Sequence, residues 1–476
     1  MARDPEELVT ELRSALQGRR RLLAQGQAQS IIRRNGILPE DAPQFSTFLD
    51  NDLLNHSYAL LLTSLDLLDL LSEESRQPFE LDERVQLAQA GFIQASYALE
   101  AATRNASPTL DLAFHRLIAG AASHLAGYAA RAFSLVQTSA RPGRRTLMET
   151  TLADLITRDL SGIEERTRQM RTTPTMSDSV LLDAFMGRSP DSYADGHLTF
   201  PSNGSAIDVN TENSLYESGP VVSLLSEHYM SAVSQALFAI EHDLRPVLAE
   251  ALAEMEVGER ASSELNAPGP WWVYRLTRRL LGDLGETSIL RNIPIRRPPA
   301  ATNTPPTGEE RDWVRLRRTF IASLAARKPA QIDLWPSQMH VVDRIFSATN
   351  DLVVALPTSA GKTRIAELCI LTALAQGRRT VYVTPLRALS AQTEQILERS
   401  FSPLGARVSS LYGSMGMSDV DEDALLTSDI VITTPEKLDF ALRSNPSVLD
   451  DVGLVVLDEG HMIGPSEREV RYEAQV

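Results

Sequence analysis

Between Asp351 and Glu459 the chain alternates short apolar runs with segments of helical length, and this alternation constrains the fold more than any other feature. "DLVVAL" (351–356), "TVYVTP" (380–385), "ARVSSLYG" (406–413), "DIVITTP" (429–435) and "VGLVVLDE" (452–459) read as strands. A helix closed by Gly377 follows the first run, and others are expected near 387–400, 419–427 and 435–444. A strand that is apolar on both faces must be covered on both, and intervening helices supply that cover. The pattern predicts an α/β domain built on a parallel sheet.

The preceding residues have another texture. Residues 1–170 predict a helical domain: Leu54, Tyr58, Leu61, Leu65 and Leu68 recur at three- and four-residue spacing and line one helical face. No catalytic spacing occurs there, and His56, His115 and His124 read as structural or surface histidines. Gly, Pro, Ser, Asn and Asp dominate 171–216, which predicts loops, short strands or partial disorder. Helical texture returns over 217–290, a Pro/Arg-rich linker and helix occupy 291–330, and the α/β lobe covers 331–476. The arginines of this middle region, among them Arg275, Arg278, Arg279, Arg311, Arg315 and Arg318, leave two readings open. One is steering of a phosphate backbone; the other is an intramolecular salt-bridge surface.

Composition narrows the class. A chain of 476 residues with 43% hydrophobic and 23% charged residues has ample core for several domains. Its net charge of −16 argues against a generally basic nucleic-acid coat, though not against a local basic groove. The single cysteine, Cys369, excludes a disulfide framework or a cysteine-based metal site within the chain. With an N-terminus charged from its third residue, it points to a reducing cytoplasmic compartment. The most apolar stretches, 58–71 and 117–136, are interrupted by Asp66 and Asp69 and by His124 and Arg131, so no membrane span is expected.

Three segments carry chemistry. "LPTSAGKT" (356–363) sits between an apolar strand and a helix, the setting a phosphate-cradling loop requires. Backbone N–H groups from Thr358 to Gly361 and at the helix start bind anionic oxygen; Pro357, Thr358, Ser359 and Ala360 belong to this cradle. Lys362 would reach the terminal phosphates and Thr363 would bind a magnesium ion. The competing reading is a chance Gly-Lys-Thr at a helix start. In "VVLDEGHMIG" two carboxylates follow an apolar strand at the carboxyl end of the sheet, where open α/β folds bind ligands. Asp458 would hold Mg²⁺, Glu459 would position the attacking water, and His461 would couple nucleotide state to the rest of the protein. Alternatively the pair is a turn with helix-capping charges. Gln338 in "LWPSQMHVV" would reach an adenine edge through its amide, or is a plain surface glutamine.

Taken together with "TPLRAL" (384–389) and "TTPEKLD" (433–439), these motifs stand in the order and spacing of superfamily 2 helicases. The chain resembles the DEAD/DExH-box group over about 330–476, and its "DEGH" spelling is similar to the DExH branch. The resemblance implies a RecA-like P-loop lobe, with ATP and Mg²⁺ as cofactors and catalysis through Lys362, Asp458, Glu459 and His461. It also implies a nucleic-acid backbone partner gripped by Thr384, Pro385, Arg387, Thr434, Pro435 and Lys437. The helical N-terminal region is a candidate protein-docking part.

The family's second RecA-like lobe, with its arginine finger, has no counterpart before Val476. The expectation is therefore the N-terminal portion of a longer helicase, with a truncated lobe that does not hydrolyse ATP efficiently by itself. The rival expectation is a nucleic-acid-binding or scaffold protein that carries an inert RecA-like remnant.

Overall fold

The computed structural model describes residues 4–18, 21–26, 28, 49–74, 83–105, 111–138, 145–172, 220–299, 311–347, 351–356, 361–385, 387–411 and 419–460. The loop-rich stretch expected over 171–216 lies outside them beyond Thr172, as do Pro357, Thr358, Ser359, Ala360 and His461. The chain divides into two compact units, Met1–Gly285 and Glu286–Val476.

The first unit is helical: α1 (Pro5–Gly18), α2 (Leu49–Glu74), α3 (Glu83–Asn105), α4 (Leu112–Leu125), α5 (Ala129–Thr138), α6 (Leu147–Thr157), α7 (Leu160–Thr172), α8 (Pro220–Glu241), α9 (Arg245–Glu264) and α10 (Pro268–Thr287). Leu54, Leu61, Leu65 and Leu68 are buried on α2, as the spacing predicts. A second stripe, Leu53, Leu60, Leu67 and Leu71, is buried as well, because α2 packs against both α1 and α3. Local sequence sets the helix ends: Thr146 and Glu149 form a reciprocal capping box at the start of α6, and Asp111 caps α4. His115 is structural, its Nδ1 2.7 Å from the Tyr58 hydroxyl. Burial holds its pKa below the usual histidine value, and Asp111 pushes the other way.

The basic segment resolves, within this unit, into internal ion pairs. Arg275 reaches Asp66 at 2.7 Å and Glu259 at 3.1 Å, Arg278 reaches Asp69 at 2.8 Å, and Arg279 reaches Asp283 at 2.7 Å. These guanidinium groups join α10 to α2 and α9, so for these three arginines the salt-bridge reading holds and phosphate steering does not.

The second unit holds a four-stranded parallel sheet in the order β2–β3–β1–β4, from β1 (Arg379–Val383), β2 (Val408–Ser410), β3 (Ile430–Thr433) and β4 (Val452–Leu457). All three neighbouring pairs are parallel. Around it lie α11 (Trp313–Ala325), α12 (Pro336–Ser347), α13 (Lys362–Ala375), α14 (Arg387–Phe401), α15 (Asp419–Thr427) and α16 (Pro435–Ser444). Central strands β1 and β3 are buried almost throughout, as apolar runs covered on both faces should be.

Two features differ from the sequence expectation. The helix of the presumed linker belongs to the lobe itself: Trp313, Leu316, Phe320 and Leu324 lie in one buried cluster with Leu371, Leu397 and Phe401, and the Phe320 and Phe401 rings stack. The run 351–356 is not a strand of the sheet. Leu352, Val354 and Leu356 pack on that cluster, while Val353 stands 93% exposed on the opposite side. An apolar run reports that a segment wants burial; it does not name the strand beside it, and this one uses only one of its two faces.

Candidate functional site

The site lies at the carboxyl ends of the strands. Gly361 precedes α13 in the left-handed region, with φ +83°. A Cβ there would lie 2.0 Å from Gln338 Nε2, so both conformation and space require glycine. Gln338, although a polar residue near the start of an amphipathic helix, is buried. Its Oε1 accepts from the Trp335 N–H at 2.9 Å and its Nε2 donates to the Gly361 carbonyl at 3.0 Å. The amide thus ties α12 to the residue that opens α13.

On the other side, β4 delivers Asp458 and Glu459. The Asp458 N–H continues the ladder to the Val383 carbonyl at 2.9 Å, and Asp458 Oδ1 accepts from the Glu459 N–H at 3.0 Å. Glu459 has φ 54°, an uncommon backbone state for a residue with a Cβ. This turn sends its carboxylate toward α13: Lys362 Nζ and Glu459 Oε2 are 4.0 Å apart, both side chains about one-third exposed. Lys362 and Glu459, far apart in sequence, therefore meet at one end of the sheet, each with its chain neighbour Thr363 or Asp458 beside it. An ammonium at a helix start, a hydroxyl beside it and two carboxylates form a donor set that fits a magnesium–nucleoside triphosphate. Among the described residues no group of three or more His, Cys, Asp or Glu could hold a metal alone, so here phosphate oxygens and water would complete the ion's shell.

The expected nucleic-acid residues occupy less open positions. Thr384 is fully buried at the end of β1, its N–H donating to the Thr433 carbonyl and its hydroxyl without a partner among the described residues. Thr434 and Pro435, at the start of α16, are buried, and Thr434 makes no side-chain cap. Lys437 is buried too, with Nζ 2.6 Å from Asp421 Oδ2. That contact links α15 to α16. Pro385 is buried, and α14 begins at Arg387.

Sequence reading missed a polar network beneath this site. Arg364 and Glu367 lie one turn apart on α13, with Nη1 and Oε2 2.5 Å apart and both side chains less than a tenth exposed. Ser400, at the end of α14, donates to Glu367, and Arg327 donates to Ser400 at 2.6 Å. Gln331 accepts from both Arg327 and Arg364. The signal was present in "TRIAELCIL", where a cation and an anion three residues apart interrupt an apolar helix.

With this geometry established, comparison with known proteins places the lobe. The family model for DEAD/DEAH box helicases matches residues 335–476. Residues 335–476 are a superfamily 2 helicase domain. The chain is 31% identical over 210 residues to the Hachiman protein HamB of Bacillus cereus, covering 44% of this chain and 18% of that protein. It is 33% identical over 140 residues to the ATP-dependent DNA helicase Hel308 of Methanocella arvoryzae, covering 29% of this chain and 18% of the relative. To the Hel308 of Thermoplasma acidophilum it is 38% identical over 135 residues, covering 28% and 19%. The chain thus spans under a fifth of the length of these relatives. The HamB similarity is longer than the segment the family model matches. Among the described residues no helix is long and apolar enough to cross a membrane.

Proposed function

We propose that this superfamily 2 lobe binds ATP with Mg²⁺ and serves a DNA helicase or translocase of the DExH type. The observation that carries the reading is the meeting of Lys362 and Glu459 across the carboxyl end of the sheet. The relatives named as DNA helicases favour DNA over RNA.

When bound, ATP supplies a phosphoanhydride whose hydrolysis drives movement, and the magnesium ion neutralises the developing charge. This chain's own residues divide the work. The N–H groups at the start of α13 and the Lys362 ammonium hold phosphate oxygens; Thr363 and Asp458 hold the cation. Glu459 orients water and accepts its proton, with the Lys362 ammonium 4.0 Å from its carboxylate. Gln338 keeps Gly361 in place, and its amide is positioned by Trp335 rather than free. His461 is proposed as the residue that passes nucleotide state onward. The starts of α14 and α16, with Arg387, Thr384 and Thr434, are proposed to hold a phosphate backbone without reading bases. Lys437 supports that surface through Asp421. A second lobe would supply the arginine finger, an effect of about 10³–10⁵-fold in related phosphoryl transfers.

Two measurements test the reading. This chain should bind a magnesium–ATP analogue, and Lys362→Ala should weaken binding by about tenfold or more. In the full-length gene product, single-stranded DNA should stimulate ATP hydrolysis, and the same substitution should abolish it; retained stimulation would remove Lys362 from the site.

A further inference from the structure

At the opposite end of the sheet, the amino ends of the strands frame a cleft of about 780 Å³, within the size range of small-molecule sites. It lies wholly in the second unit, between α11, the turn after α14, and the residues that lead into each strand. Strand β1 spans five residues, so it separates this cleft from the Lys362–Glu459 site by about 16 Å at 3.3 Å per residue.

The lining of the cleft runs against the charge of the chain, which is −16 overall. Five arginines, at 311, 315, 378, 379 and 407, face three aspartates. Each aspartate is already engaged. Asp429 accepts from Arg311 at 2.6 Å and from the Arg407 backbone N–H at 2.8 Å. Asp451 pairs with Arg379 at 3.0 Å, and Asp312 caps α11 through the Val314 N–H. The side chains of Arg315 and Arg407 are exposed and have no carboxylate partner among the described residues. Arg379 adds buried Nε and Nη2 donors that meet no acceptor among the described residues. A concave site with surplus guanidinium charge and unsatisfied planar donors matches a ligand that carries several oxygens on one centre. Leu404 and Leu426 give one wall apolar surface for an organic part.

We propose that this cleft is a second ligand site, which takes a small phosphate-bearing molecule such as an organic diphosphate. It is separate from the ATP site and does not depend on the helicase reading.

The test uses inorganic pyrophosphate as the probe and the whole chain carrying Lys362→Ala, measured by equilibrium dialysis without magnesium. One pyrophosphate per chain should still bind. Adding Arg315→Ala and Arg407→Ala should weaken that binding by about tenfold or more. Both residues are exposed, so the far-ultraviolet circular dichroism should be unchanged. The two arginine substitutions in a chain that retains Lys362 should leave affinity for the magnesium–ATP analogue as it was. Absence of pyrophosphate binding in the Lys362→Ala chain would overturn the proposal, and so would binding indifferent to the two arginine substitutions. Displacement by a single-stranded oligonucleotide would also overturn it, by assigning these arginines to a nucleic-acid track.

Discussion

Glu367 shows how a single buried charge can hold two functional helices together. It is 2% exposed, takes Arg364 as its ion-pair partner and accepts from Ser400 on α14. Burial pulls the Arg364 pKa down, and Glu367 opposes that pull, so the carboxylate offsets part of the cost of burying this guanidinium. Removing one member of a buried pair leaves the other uncompensated, at about 3–5 kcal/mol. Glu367→Leu should therefore lower the unfolding free energy of the lobe by about 3 kcal/mol in urea titrations. The double change Arg364→Met with Glu367→Leu should recover most of that loss. A double variant no better than the single one would show that the network contributes through more than charge balance. Sequence could reveal that Arg364 and Glu367 share a helical face. It could not reveal Ser400, Arg327 and Gln331, because those partners meet only after the chain folds back.

Among elements, the link between α15 and α16 has the clearest consequence. Lys437 and Asp421 are each less than a tenth exposed and 2.6 Å apart. The pair adds a buried polar tie to the apolar packing of Ala424 and Leu425 with Ala441, and without it local opening would become easier. Asp421→Ala should speed amide hydrogen exchange over 421–427 by about tenfold or more, with little change in the exchange of β1. Equal acceleration in both would mean that the pair stabilises the whole lobe. Element types were legible where apolar runs were long: β1, β3 and β4 lie where the text predicts them. Their neighbours were not, since strand pairing is a non-local choice. The same limit explains Lys437, whose lysine in "TTPEKLD" reads as a surface cation until Asp421 is found beside it. It explains 351–356 as well, apolar in text but packed on one face only.

Across the whole molecule, acidity should act first on the helical unit. Burial against Tyr58 holds the folded pKa of His115 below the ordinary histidine value of 6.5. Between those two values the unfolded chain binds more protons, so the stabilisation is present above pH 6.5 and is lost as pH falls through the folded pKa. The raised pKa values of Asp154 and Glu259, both caused first by burial, act with the opposite sign as pH rises. Comparing the parent with His115→Gln isolates the histidine. Urea midpoints for the helical signal should converge between pH 7.5 and pH 5.5, with the parent losing more on acidification. Parallel profiles would show that His115 is not the titrating group. The division into two units was only half visible in the text. The composition break before 217 was plain, whereas 311–330 joined the lobe through Trp313 and Phe320, whose partners lie far downstream.

The backbone at Glu459 sets a conflict for any evolving population of this protein. With φ 54°, a side chain there carries a conformational penalty on the order of 1 kcal/mol that glycine would not. A selection that rewards folding alone would accept Glu459→Gly, and with it would lose the carboxylate beside Lys362. A glutamate here stands against the preference of the backbone, which is what the proposed role of its carboxylate beside Lys362 calls for.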